Sequence, residues 1–387
     1  MTTLYGANSF ERFWQFRHNV PFDWLQRTVA ATAHVLPATV GYQEGTRWEH
    51  LMQAILGEGQ FGARHWDLSS TRRLYYQLRF LVPQQLRPVL RRLVRGQQKA
   101  PSLGWPVEDR YVRFLYGLLE GLREKGASVE PAPFWPMNAR FAFVLTHDVE
   151  TVRGQAFART LADVDDQYGF RSSFNLVPEP YRVDTELRTE LRERGFEVGV
   201  HGLKHDGRLF SSRAEFERRA HAINQYLKEW GAVGFRSPFT HRNPEWMQSL
   251  EIEYDSSFFD TDPFETIPGG TMSIWPFFCG RFVELPYTLM QDHTLFEVFG
   301  HTPQPWLDKV DFIAKWGGMA LLNVHPDYMR DPAHLAVYKP FLERMSERIR
   351  RAGQQGSTYC WHALPRDVAR WWRKRAGLDS LSQEMDA

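Results

Sequence analysis

Cysteine is nearly absent, with Cys279 and Cys360 the only two in 387 residues. Two thiols cannot build a disulfide framework or a cysteine-rich zinc site. An excess of one charge is also missing. The formal net charge is +1, so no global basic field calls for nucleic acid as a partner. No uncharged run reaches the roughly 18 residues of a membrane-spanning helix. The opening stretch MTTLYGANSFERFWQFRHNV carries charges throughout and lacks the apolar segment of a signal peptide. Together these absences lead to the expectation of a soluble, cytoplasmic protein. No low-complexity segment or internal repeat stands out either. What is plentiful is apolar and ring material: 43% of residues are hydrophobic and 14% aromatic, ample for a large core and unlike a disordered chain.

A chain of this length suits two or three domains, or a single α/β barrel with an extension. Residues 1–135 lack a strand-then-turn rhythm and read as helices broken by proline and glycine, such as Arg72–Arg95 and Asp109–Lys125. Val112, Leu115, Leu118, Leu119 and Leu122 recur at helical spacing and predict a packed face. From Arg72 to Lys99 there are seven arginines, one lysine and no acid, interleaved with Tyr75, Tyr76 and Phe80. A solvated helix face is the plainer reading; peripheral contact with anionic lipid headgroups or a polyanionic glycan is the other. The turn-like segment Glu130–Asn138 marks a boundary, giving a helical extension over 1–135 and a second unit over 136–387. From Arg140 onward strands and helices alternate, which argues for a parallel (β/α) barrel, distorted or incomplete, over an open sheet.

The chemistry concentrates where apolar runs stop. Phe141–Glu150, FAFVLTHDVE, is a short apolar run entering ionisable groups. It reads as a strand buried on both faces whose C-terminal end carries function. In an extended chain Asp148 and Glu150 point one way and His147 the other, so two carboxylates can divide metal binding and proton transfer. A later strand ends in VGVHGLKHD. His201 and His205, four apart, suit one metal if the segment turns as a helix. With a carboxylate from the first strand end they make a two-histidine, one-carboxylate set with open positions, for which zinc is the first choice and cobalt, nickel or iron also suit. Arg236 closes VGFR and His325 closes ALLNVH. The first is read as a rim ion pair or an orienter of a catalytic carboxylate, the second as a proton donor. His147, His241, His293, His301 and His362 lack this context and read as structural.

The series THDVE, HGLKH, FRSP and LLNVH, in this order and spacing, resembles the polysaccharide deacetylase family of carbohydrate esterases over roughly Arg140 to Trp371. It is similar to a bacterial subgroup with a THDVD-like first motif. The resemblance implies a distorted (β/α) barrel and metal-dependent hydrolysis of an N-acetyl or similar N-acyl group from an amino sugar. It also implies that His201 and His205 are metal ligands, that Asp148 is the base and His325 the acid, and that Arg236 belongs to the third catalytic motif. The family's usual TFDDG has adjacent aspartates, the second a ligand. Here Val149 holds that place, so Glu150 is the replacement ligand, with the inverse assignment of Asp148 and Glu150 left open. Asp255 or Asp292 is the carboxylate that would support His325.

Phe258, Phe259, Phe264, Trp275, Phe277 and Phe278 suggest either a sugar-stacking groove or loops packed over the barrel. A glycan or amino-sugar precursor is the expected substrate. The rivals are an amidase or deformylase of another small substrate, and a non-catalytic glycan-binding module on the same barrel.

Overall fold

The computed structural model describes residues 4–16, 20–67, 103–179 and 181–378. The basic stretch Arg72–Lys99 lies outside them. Nine strands form one curled sheet: β1 (Ala142–Val149), β2 (Ser173–Leu176), β3 (Glu197–His201), β4 (Gly234–Arg236), β5 (Tyr254–Asp255), β6 (Phe277–Cys279), β7 (Phe282–Glu284), β8 (Met319–Val324) and β9 (Trp361–His362). Their order is β6-β7-β5-β4-β3-β2-β1-β8, with β9 also pairing β1. All pairings are parallel except β6 with β7, an antiparallel hairpin that the alternating rhythm did not reveal. No strand ladder joins β7 to β8. Thr288 spans that gap, its hydroxyl donating to Met319 O at 2.6 Å and accepting from Leu321 N at 3.0 Å. The architecture is thus an incomplete (β/α) barrel, as the alternation of elements predicts.

All eight residues of β1 are buried, which explains an apolar run without the alternation of a half-exposed strand. Helices cover the outside. Arg213–Trp230 is started by Ser212, whose hydroxyl accepts from Glu215 N at 3.2 Å, and stopped by Gly231 at φ 53°. Its inward residues Phe216, Ala220, Ile223, Leu227 and Trp230 recur at helical spacing and are buried. Each large one contributes roughly 1.5–3 kcal/mol by leaving water.

Residues before the barrel share its core. Helix Arg110–Glu124 buries Val112, Leu115, Leu118, Leu119 and Leu122, the face read from spacing, and packs on helix Phe22–Thr32. Asn8 exchanges two 2.8 Å hydrogen bonds with the backbone of Phe278 in β6. At the N-terminal ends of the strands, Trp135 and Trp275 both donate to Gly317 O, at 2.9 and 2.8 Å. The aromatic segment after β5 resolves as packing: Phe258, Phe259, Trp275, Phe277 and Phe278 are all buried, and the partly buried Phe264 meets Trp105 edge-on. The five buried rings fill the core. Among the described residues no helix is long and apolar enough to cross a membrane.

Candidate active site

The C-terminal ends of β1, β3, β4 and β8 bring Asp148, Glu150, His201, His205, Arg236 and His325 together. One ligand atom each from Glu150, His201 and His205 lies within 4.8 Å of the others. Glu150 Oε1 stands 2.9 Å from His205 Nε2 and 3.8 Å from His325 Nε2. Asp148 is not one of this triad.

The two histidines are not on a helix, contrary to the expectation from their spacing. His201 is the last residue of β3. The chain then turns through Gly202 at φ 62° and His205 at φ 47°. A Cβ at Gly202 would overlap the Pro238 ring, so glycine lets the turn sit against the loop after β4. The turn returns His205 to the first ring, with centroids 5.2 Å apart. Loop geometry does what one helical turn would have done.

His201 is suited to coordinate. Its Nδ1 lies 3.0 Å from the Arg236 carbonyl, an acceptor that fixes the proton on Nδ1 and leaves Nε2 with its lone pair. That Nε2 is buried and has no hydrogen-bond partner. Burial pushes the imidazole down to about 4, against the pull of Asp148, so it is neutral near pH 7. Burial opposes ionisation of Glu150 too, but His205, with His325 and His201 nearby, holds its carboxyl far below the usual range. A neutral buried imidazole, a second imidazole and an ionised carboxylate fit a divalent cation such as zinc.

Asp148 lies deeper, clamped from both sides. Asn175 of β2 donates Nδ2 to its Oδ1 and Asn323 of β8 donates Nδ2 to its Oδ2, each at 2.9 Å. The fully buried Arg236 approaches Oδ1 with Nε at 3.5 Å and donates to Thr146 Oγ1 at 3.1 Å. Burial would raise the carboxyl, but Arg236, His201 and His325 outweigh it and hold it below its ordinary value. Asn323 is itself held, its amide also donating to Gln291 Oε1 at 2.9 Å.

His325 rests on Asp292, not on Asp255. Its Nδ1 and its backbone N–H each reach an Asp292 oxygen at 2.7 Å. Burial alone would lower the imidazole. Asp292, by charge and hydrogen bond, and then Glu150 and Asp148 raise it to about 10. Asp255 pairs with Glu284 across β5 and β7; burial pushes both carboxyls up, and the charge of Asp255 pushes Glu284 further. His147 points the other way, its Nε2 at 2.8 Å from Asp165 Oδ2, the structural place expected for it. His293 stands nearer the chemistry than its sequence context suggests, its ring centroid 5.9 Å from that of His325.

Asn175 and Asn323 escape a residue-by-residue reading. The one signal was a polar residue inside the apolar strands SFNL and MALLNV, each of which places an amide beside the strand that carries Asp148.

No family model matches the chain, and no curated protein matches it either. Solved structures do. A chain assigned as a polysaccharide deacetylase from Mycobacterium smegmatis superposes with TM-score 0.50 at 18% identity, covering 62% of this chain and 93% of that one. One so assigned from Pseudomonas aeruginosa PAO1 gives 0.49 at 17%, covering 64% and 95%. Puue allantoinase gives 0.49 at 15%, with the same coverage. The fold is therefore that of the polysaccharide deacetylases, in agreement with the motif resemblance.

Proposed function

We propose that the protein is a metal-dependent hydrolase that removes an N-acetyl or similar N-acyl group from an amino sugar of a glycan or glycan precursor. The observation that carries this reading is the convergence of Glu150, His201 and His205 beside two further groups with opposite proton habits. Asp148 is held ionised and His325 is held protonated.

A divalent cation on Glu150, His201 and His205, zinc by the chemistry of the donors, would supply Lewis acidity toward an amide carbonyl and lower the pKa of a water. The rest of the work falls to side chains. Asp148, an ionised acceptor oriented by Asn175, Asn323 and Arg236, takes a proton from the attacking water. The Nδ1–H of His325 is committed to Asp292, so Nε2–H faces Glu150 and the site. It gives its proton to the leaving nitrogen, which departs as an amine while the acyl group leaves as a carboxylate. Asp292 stabilises the imidazolium, keeping that proton available near neutral pH.

The test is metal content by mass spectrometry for wild type, Glu150→Ala, His201→Ala and Asp148→Ala, beside acetate release from N-acetylated amino-sugar oligomers. Glu150→Ala and His201→Ala should lose the metal, while Asp148→Ala should keep it and lose turnover. Loss of metal in Asp148→Ala with retention in Glu150→Ala would invert the two carboxylates. A wild type that takes up no metal after reconstitution would remove the reading altogether.

A further inference from the structure

We infer that Asp327 is a positioning residue that sets Glu150 in the metal triad, and that the glutamate can serve one place later than the family's usual aspartate because Asp327 grips the backbone beneath it. The inference rests on the reading of Glu150 as a ligand.

The parallel ladder between β1 and β2 ends at the pair Val149 and Leu176. Glu150 is therefore the first residue beyond the sheet, with no strand neighbour to fix its peptide. Its N–H donates instead to Asp327 Oδ2 at 3.1 Å. The next residue, Thr151, gives its hydroxyl proton to Asp327 Oδ1. The same hydroxyl oxygen accepts from Arg153 N at 3.1 Å and Gly154 N at 3.3 Å, capping helix Val152–Gln167. One carboxylate thus fixes two successive residues at the junction of strand and helix. Across that junction, Tyr181 donates its hydroxyl to Val149 O at 2.8 Å, so both sides of the ligand's peptide unit are tied.

Two further features show that the junction is built around this carboxylate. A Cβ at Gly154 would overlap Asp327 Oδ2, so the first turn of the helix admits Asp327 only because residue 154 is glycine. Asp327 also lies two residues after His325, on the short helix Pro326–Met329. The segment that carries the proton donor is thereby the one that holds the ligand loop. This couples the spacing between His325 and Glu150 to one rigid piece of chain. A group that orients a ligand in this way typically changes metal affinity about 10–100-fold when removed.

The experiment is metal affinity, by competition with a chromophoric zinc chelator, for full-length wild type, Asp327→Ala, Gly154→Ala, Thr151→Val and Thr151→Ser. The thermal midpoint of each metal-free protein is measured alongside. Asp327→Ala and Gly154→Ala should each weaken zinc binding by about 10–100-fold. Thr151→Val should weaken it less, and Thr151→Ser, which keeps the hydroxyl donor, should match wild type. All metal-free midpoints should stay within a few degrees of one another. Wild-type affinity in Asp327→Ala would overturn the inference alone. A fall in affinity that merely tracks a collapsed metal-free midpoint would also overturn it, making Asp327 a fold anchor. Failure of wild type itself to bind zinc would instead strike the proposed function.

Discussion

Asp292 accepts twice from His325, once from the ring Nδ1 and once from the backbone N–H, each at 2.7 Å. The pairing fixes which ring nitrogen faces the site and why the imidazole stays charged. Asparagine at position 292 would keep the shape, lose the charge and present an amide N–H toward one of two donors. Turnover of an N-acylated amino sugar by Asp292→Asn should fall by about 100-fold or more, the usual contribution of a positioned proton donor. KM and metal content should stay near wild type, because Asp292 does not belong to the triad of Glu150, His201 and His205. Steady-state kinetics beside metal analysis checks both halves. A kcat within about twofold of wild type would remove His325 from the proton-donor role.

Asn323 links Asp148 Oδ2 to Gln291 and accepts from Thr146, whose Oγ1 lies 3.0 Å from its Oδ1. Asn323→Leu keeps the volume but removes one side of the clamp. Asp148 should remain ionised yet lose its fixed direction. Since a misplaced reacting group costs up to about 100-fold, kcat and kcat/KM should drop together while metal content is unchanged. Gln291 Oε1, left without its donor, should also cost on the order of 1–3 kcal/mol, readable in urea. Loss of metal in this variant would show Asp148 acting as a ligand.

Much of this site was legible before any coordinates. β1 announces itself because strands buried on both faces are continuously apolar, so the point where polarity begins marks the strand end. The same logic found His201, Arg236 and His325. The spacing of His201 and His205 suggested a helical turn because spacing alone cannot see Pro238, against which Gly202 packs. Asn175 and Asn323 were hidden for a related reason: their partner is Asp148, 27 and 175 residues away, and only the strand order makes them neighbours. Asp255 and Asp292 were indistinguishable by distance along the chain, since 33 residues separate Asp292 from its partner. The aromatic stretch after β5 left a binding groove and packed loops both open because ring-rich composition is common to grooves and cores, and burial alone separates them.

The longest-range ionic link among the described residues concerns stability. Glu58, wholly buried, meets Arg242 through Nε at 3.0 Å and Nη2 at 2.7 Å, 184 residues along the chain, and accepts from Gly270 N at 2.8 Å. Arg242 also lies over the rings of Trp66, Phe258 and Phe259. Glu58→Ala would leave that guanidinium buried and uncompensated, a loss of about 3–5 kcal/mol. The expected result is a lower urea midpoint, with part of the loss recovered when Arg242→Met is added. A Glu58→Ala protein within about 0.5 kcal/mol of wild type would mean that water reaches Arg242 when its partner is gone.

Glu197 opens β3, at the end of the strand away from Glu150, His201 and His205, and is 2% exposed. It accepts from the Tyr254 hydroxyl at 2.8 Å and from Arg366 N at 3.2 Å. Burial outweighs these bonds and raises its carboxyl from the ordinary 4.5 to about 7. The folded protein therefore holds this proton more tightly than the unfolded chain does. The stabilisation is fully present below pH 4.5 and is lost as pH rises through about 7. A shift of this size corresponds to a few kcal/mol at most, on the order of 3. Glu197→Gln stays neutral, and the Tyr254 hydroxyl can reverse to accept from the new amide. The variant should match wild type near pH 5 and be more stable at pH 8, with the pH slope between them flattened. Urea melts across that range decide the matter: an unchanged slope in Glu197→Gln would assign the pH dependence to other groups, while a stability loss at every pH would show that the amide cannot satisfy both donors.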